Sequence, residues 1–424
     1  MSDAPLPPLR ARLEAVPAEA EKEGAQVFVL RDLEELADKP LALSAGGLLL
    51  VSLFDGKRTA VQVQELFKKS ANAEIELSVI LDLAKALEEA GYLETPAVAA
   101  KRKKNLEDFR ASSKRPATFA GASYPAEAPA LTELLDGFFT VAKGPGKAPA
   151  LKPTRPAPLG LIAPHIDFER GGHAYAWAYQ ALSERNPPDV ILALGVAHSS
   201  PDSPWIFTPK TYETPFGAMT VDSRLYNDLA GRLWYDPRAD EWAHKSEHSL
   251  EFQAVWLKRL WGEKTPPWVP VLVSSFERFS PEEAPSKIPT IEKALKDFGE
   301  ALAEHSRKGR RVMILAGVDF AHVGARFGDE FDVTAELEHK IEDEDRRSLV
   351  AALSHDADGF YRSAIDGGGW RKVCGLSALY TAVRLIKALG ASAPGQLLAY
   401  AQAPDPAGGL VSFASAIFDP APQT

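Results

Sequence analysis

Sulfur is nearly absent from this chain: one cysteine and three methionines in 424 residues. Cys374 has no partner within the chain, so an internal disulfide is excluded, and packing, nucleophilic attack or metal ligation remain as its roles. Long apolar runs are also missing. No stretch approaches the roughly 18 residues that span a bilayer, and the polar, Pro-rich start Met1–Arg12 has no apolar segment of a secretory signal. A soluble protein of the reducing cytoplasm is expected, with no membrane role. An excess of basic charge is lacking too. The net charge is −10, which disfavours nucleic acid and anionic lipid as partners. There is no Gly-x-Ser-x-Gly, no P-loop, no Gly-x-Gly-x-x-Gly after a strand and no His-Glu-x-x-His, so the chemistries those patterns carry are not indicated.

What is present suits a folded protein of more than one domain: 45% hydrophobic and 25% charged residues over 424 positions. Residues 1–25 read as a loosely ordered leader. Residues 26–95 read as a small module. A short strand is expected from Gln26 to Leu30, and the apolar run Leu43–Phe54 closes on the turn Asp55-Gly56. Thr59, with Gln62 three residues on, predicts a capping box. A second helix from about Glu76 carries Val79, Leu83 and Leu87 on one face and stops at Gly91. Helix, turn, helix, helix and a short β tail make a winged-helix-like pattern. Residues 96–113 read as a linker, with Lys101–Lys104 a solvated tether.

The stretches Leu53-Phe54-Asp55-Gly56-Lys57-Arg58-Thr59 and Leu87-Glu88-Glu89-Ala90-Gly91-Tyr92-Leu93 resemble the PqqD-like family. That resemblance implies a module that binds a peptide client or a partner enzyme. The acidic second helix, with Glu74, Glu76, Asp82, Glu88 and Glu89, opposes phosphate contacts.

From Leu159 the pattern alternates between buried strands and helices. Strands are expected at Leu159–Ala163, Asp189–Leu194, Trp268–Val273 and Val312–Ala316, each running into a polar motif, which is the pattern of an α/β sheet with ligands at strand ends. His165, His198 and the pair Asp319 and His322 follow three of these strands. If those strands are neighbours, one crevice gathers all four. Strand-end histidines serve as metal ligands or general bases, or simply as satisfied polar caps. His305, His339 and His355 sit in charged segments expected to be exposed and receive no role; His173 and His244 flank motifs. Glu247 and Glu251 lie i,i+4 around His248; the pattern reads as a structural helix start with Ser246 as N-cap, or as one that aims His248 or Glu251 at the pocket.

Eight motifs in order then resemble the Memo family, whose prokaryotic members include AmmeMemoRadiSam system protein B. They are Arg115-Pro116-Ala117-Thr118-Phe119 through Tyr124-Pro125, Ala163-Pro164-His165, Leu194-Gly195-Val196-Ala197-His198, Tyr212 to Gly217, Glu247-His248-Ser249-Leu250-Glu251, Val269–Val273, Val318-Asp319-Phe320-Ala321-His322, and Cys374-Gly375. The resemblance covers residues 114–424. It implies an α/β sandwich with a central mixed sheet, similar to class III extradiol (LigB-type) dioxygenases and here preceded by the small winged-helix-like domain. It implies metal ligation by His165, His198 and Cys374, with Fe(II) first and Cu or Zn as alternatives. His322 is implied as acid or base, Asp319 as its orienting neighbour and His248 at the pocket edge. Radical SAM and AMMECR-type proteins are the implied partners. Two departures stand out: Ile166-Asp167 follows His165 where the family often has Ala-Gly, and Ser199 replaces a second histidine after His198.

These residues support a metal-dependent redox enzyme resembling the dioxygenases. The alternative is a non-enzymatic protein whose pocket binds metal or peptide without turnover. A zinc hydrolase is a third, weaker reading.

Overall fold

A computed structural model describes residues 4–421 except 19–26, 33, 38, 150, 200, 281–282 and 406–407. The chain divides into two units, residues 1–111 and 112–424.

In the first unit three antiparallel strands, Leu13–Ala18, Val27–Asp32 and Leu41–Ser44, pair in chain order. The part of the expected leader that is described is therefore not loose: residues 13–18 pair residue by residue with 27–32. Helices Ala45–Ser52, Ala60–Ala71 and Leu77–Glu89 follow. Thr59 and Gln62 form the capping box reciprocally, and Gly91 turns the chain at φ +80°, where a side chain would meet the Leu36 carbonyl. The segment expected to be a linker is instead a helix, Pro96–Ala111. Its basic run is not a free tether, because Arg102 forks onto both Glu34 and Glu94. Composition alone misread it: a helix held by ion pairs has the same charged sequence as a solvated linker.

The second unit is a mixed α/β fold around one eight-stranded sheet. Its strands are β1 (Gly160–Ala163), β2 (Val190–Val196), β3 (Trp205–Phe207), β4 (Trp268–Val273), β5 (Val312–Gly317), β6 (Asp319–Val323), β7 (Gln396–Asp405) and β8 (Gly409–Phe418). The spatial order is β6-β8-β1-β5-β2-β4-β3, with β7 also on β8. The four inner strands β1, β5, β2 and β4 run parallel, while β3 joins antiparallel at one edge and β8 at the other side. Both faces are buried, so side chains alternate between two cores. Leu192, Leu194, Ile314 and Ala316 face Phe298, Leu302, Leu379 and Val383. Ile191, Ala193, Met313 and Leu315 face Tyr175, Tyr179, Leu250 and Trp256. Such continuous hydrophobic runs are what a parallel sheet covered on both sides requires.

One detail of the sheet shapes the site. β1 ends at Ala163, alongside Gly317 at the end of β5. The chain of β5 then crosses that end: Val318 donates to the Ala163 carbonyl, and β6 pairs with β8, which β1 also pairs with further along. β6 thus takes the lane that β1 vacates, directly beside His165.

A buried ion pair ties the start of this unit to the helix His248–Trp261. Arg115 and Glu251 both have fully buried side chains and bond directly. Arg115 also donates to the carbonyls of His244 and Glu247 at 2.9 Å, and Glu251 accepts from the backbone of Thr118 and Phe119 and from the Tyr124 hydroxyl. Glu251→Ala should leave Arg115 uncompensated and cost about 3–5 kcal/mol, measured as a fall in the urea unfolding free energy. A loss below about 1 kcal/mol would show that the pair is not what fixes this helix.

Candidate metal centre

His165 emerges where β1 ends and β6 crosses. Its backbone N–H donates to Asp319 Oδ1 at 2.9 Å, and its Nδ1 meets the Gly317 carbonyl at 2.9 Å. A carbonyl only accepts, so the proton sits on Nδ1 and Nε2 faces the site. Nε2 lies 3.3 Å from Cys374 Sγ and 3.6 Å from Asp319 Oδ2. Asp167, the departure two residues on, is the N-cap of helix Phe168–Ser183 and accepts from Arg170.

His198 follows β2. Glu247 grips it twice, accepting from its backbone N–H and from Nδ1, each at 3.0 Å. Glu247, not Ser246, is the N-cap of the next helix, its carboxylate accepting from Ser249 at 3.0 Å. The same carboxylate stands 3.4 Å from His248 Nδ1. The imidazoles of His198 and His248 stack at 5.0 Å, and His165 stands edge-on to both. One ring nitrogen from each of the three lies within 4.8 Å of the others.

Cys374 sits in the turn before helix Leu376–Ala388. Gly375 lets that turn close on β6, since a Cβ there would come within 2.6 Å of Val318 and 2.7 Å of the Asp319 carbonyl. His322, on β6, is placed by Arg371, whose carbonyl accepts its backbone N–H, and by its own Nδ1 contact with the Phe320 carbonyl at 3.0 Å. Arg371 itself is buried against Asp345, which also takes the hydroxyls of Tyr400 and Ser412. Ser412 in turn accepts from Ala321 on β6. A cleft of about 420 Å³ opens beside His198 and Cys374, walled by Val196, Val273, Val373 and Leu376, with Glu277 and Lys372 also lining it.

The electrostatics follow from this crowding. Burial disfavours a charged His165, but Asp319 and Cys374 outweigh it and lift the imidazole to about 9. Burial also pushes the Cys374 thiol up, yet His322 and His165 draw it well below the ordinary thiol value. Burial dominates at His248, holding it down to about 3, so that ring is neutral at physiological pH. Asp319 is raised, chiefly by burial, and His322 is raised because Cys374 overcomes its desolvation.

The structure thus gathers His165, His198, His248, Asp319, His322 and Cys374. It places the remaining histidines elsewhere. His305 and His355 are not exposed, as their charged surroundings implied, but buried: His305 binds Asp228 at 2.7 Å and His355 the Ala393 carbonyl at 2.9 Å. His244 is a core residue between the Tyr212 hydroxyl and the Ile206 carbonyl, and His173 packs on Phe413. Glu247 was the residue whose part sequence reasoning underweighted. Its signals are adjacency to His248 and a place in the Glu-His-Ser-Leu-Glu motif, and both read equally as an ordinary helix-start acid.

An unperturbed cysteine loses alkylation rate tenfold per pH unit below about 8.5. Because Cys374 is lowered, iodoacetamide labelling of metal-free protein should stay nearly constant from pH 8 down to about 7. A tenfold fall over that interval would contradict the thiolate.

Comparison with known proteins agrees with the motifs. A model of the family described as Memo-like protein matches residues 115–417. A MEMO1 family protein of Thermus thermophilus is 31% identical over 308 residues, 73% of this chain and 83% of its own. Another, of Aquifex aeolicus, is 29% identical over 303 residues, 71% and 73% of the two chains. An uncharacterized protein from Escherichia coli K12, solved by crystallography, covers 61% of this chain and 98% of its own at 12% identity and a TM-score of 0.36, too distant to carry an argument. The chain belongs to the Memo-like family.

Proposed function

We propose that the 112–424 unit is a metal-binding redox protein, of the AmmeMemoRadiSam system protein B type, with His165, His198 and Cys374 as ligands for Fe(II) or Cu. The observation that carries this reading is the fixing of each donor from behind. His165 Nδ1 is held by a carbonyl and His198 Nδ1 by a carboxylate, which leaves both Nε2 lone pairs for the site, the outer arrangement that metal-bound histidines use. The third donor, Cys374, is already drawn toward the thiolate that ligation needs. Two imidazoles and a thiolate suit Fe(II), Cu or Zn, and the kinship we read is with LigB-type dioxygenases in which a carboxylate takes the place of Cys374.

Bound there, the metal would supply open coordination positions and redox capacity for oxygen or a small substrate. The chain supplies the rest. His322 takes or gives a proton at Nε2, its Nδ1 being committed to Phe320. Asp319 holds the backbone of His165 and stands by its ring, and the cleft beside Cys374 and His198 offers both apolar walls and the charged groups Glu277 and Lys372 to a substrate. We read residues 1–111 as a PqqD-like, winged-helix-type module that recruits a peptide client or partner, with radical SAM and AMMECR-type proteins as the working partners in the cytoplasm. Among the described residues no helix is long and apolar enough to cross a membrane.

Metal analysis of anaerobically purified protein tests the ligand set. Wild type should carry near-stoichiometric Fe or Cu, and Cys374→Ala and His165→Ala should lose it while remaining folded. Fe(II)-dependent oxygen uptake should then vanish in His322→Ala with metal retained. A wild type that neither carries nor takes up Fe(II), Cu or Zn would turn the reading over to a pocket that binds a peptide or other ligand.

A further inference from the structure

We infer that His248 is a third imidazole donor of the same centre, so that the site presents three nitrogens and one sulfur rather than two and one. The inference rests on the metal-binding reading above and extends it to a residue that the reading leaves at the pocket edge.

Three observations carry it. First, the mutually close ring nitrogens are those of His165, His198 and His248, all within 4.8 Å of one another. Metal–imidazole bonds of about 2.0–2.1 Å bring donor atoms closer together than that, so modest side-chain rotation lets one ion reach all three. Second, a single carboxylate backs two of the rings. Glu247 Oε1 lies 3.0 Å from His198 Nδ1 and 3.4 Å from His248 Nδ1. Both rings therefore turn the same nitrogen toward Glu247 and keep the other for the site. This shared backing is fixed in place, because Glu247 is the helix N-cap and also accepts from the backbone of His198 and Ser249. Third, the His248 ring is clamped in orientation without being used up. Phe119 stands edge-on to it at 5.7 Å and Phe252 tilts against it at 5.3 Å, while Glu247 stands 3.4 Å from its Nδ1.

The chemical consequence is a choice of ion. Two imidazoles and a thiolate leave a wide opening for oxygen or substrate. A third imidazole narrows the opening and favours ions content with four donors, such as Zn or Cu(I), over an ion that keeps several sites free.

Co(II) titration of the full-length protein under anaerobic conditions separates the possibilities, because its near-ultraviolet charge-transfer band reports the thiolate and its visible bands report the number of donors. Wild type should show both. His248→Ala should keep the thiolate band, weaken Co(II) binding at least about tenfold and change the visible bands in the direction of a higher-coordinate, less intense spectrum. His248→Gln preserves the bulk between Phe119 and Phe252 and should behave alike, which covers the case in which the alanine variant fails to fold. His339→Ala, which removes an exposed imidazole outside the centre, should leave the visible bands unchanged. Variants at 248 with wild-type affinity and wild-type visible bands overturn the inference and leave the two-histidine, one-cysteine reading standing. A wild type with no thiolate band and no uptake of Co(II) overturns both.

Discussion

Everything at this site depends on one strand crossing the end of another. β1 stops at Ala163, and β5 continues across its end to become β6. In that short passage one segment delivers the Gly317 carbonyl that fixes the His165 tautomer, the Asp319 carboxylate that holds the His165 backbone, and His322 four residues after Val318. A parallel sheet gathers its ligands where strands end. Here the end is sealed by the neighbouring strand, so the imidazole is held by groups whose positions are set by sheet hydrogen bonds rather than by loops.

Two buried charge networks brace the other components. Arg115 and Glu251 lock the domain's first segment to the helix that carries His248, and Glu247 at that helix's start reaches back to His198. Arg371 and Asp345 tie the Cys374 turn to β6 and β8 through Ser412. Buried ion pairs add little net stability over apolar packing, but they fix geometry, because any displacement leaves a charge unpaired. Their placement suits a centre whose donors must meet within fractions of an ångström.

The inner strands were legible because fully buried parallel strands leave continuous apolar runs, and the runs ending in His165, His198 and Asp319 lie side by side in the sheet. The hairpin β7–β8 and the short edge strand β3 were not, since Gln396–Asp405 mixes apolar and polar residues with no clean alternation. The helix Pro96–Ala111 escaped for a related reason: it is marked by Arg102 bridging Glu94 to Glu34, the latter 68 residues away in sequence, and not by an apolar stripe. At the site, residue types and order pointed to His165, His198 and Cys374. The role of Glu247 was invisible, because whether a helix-start carboxylate faces solvent or two imidazoles is decided by the path of β2, 49 residues earlier.

The separation of the donors along the chain has a consequence for biosynthesis. Cys374 and His165 are 209 residues apart, yet their side chains touch. On a translating ribosome the histidine-bearing strands emerge long before the thiol, and the strand β8 that completes their sheet is made later still, ending at Phe418. The binding centre therefore cannot serve as a nucleus that organises the nascent polypeptide, in contrast to small zinc modules that fold around their ion. The four-donor arrangement can close only after Cys374 and the strand β8 have been synthesised.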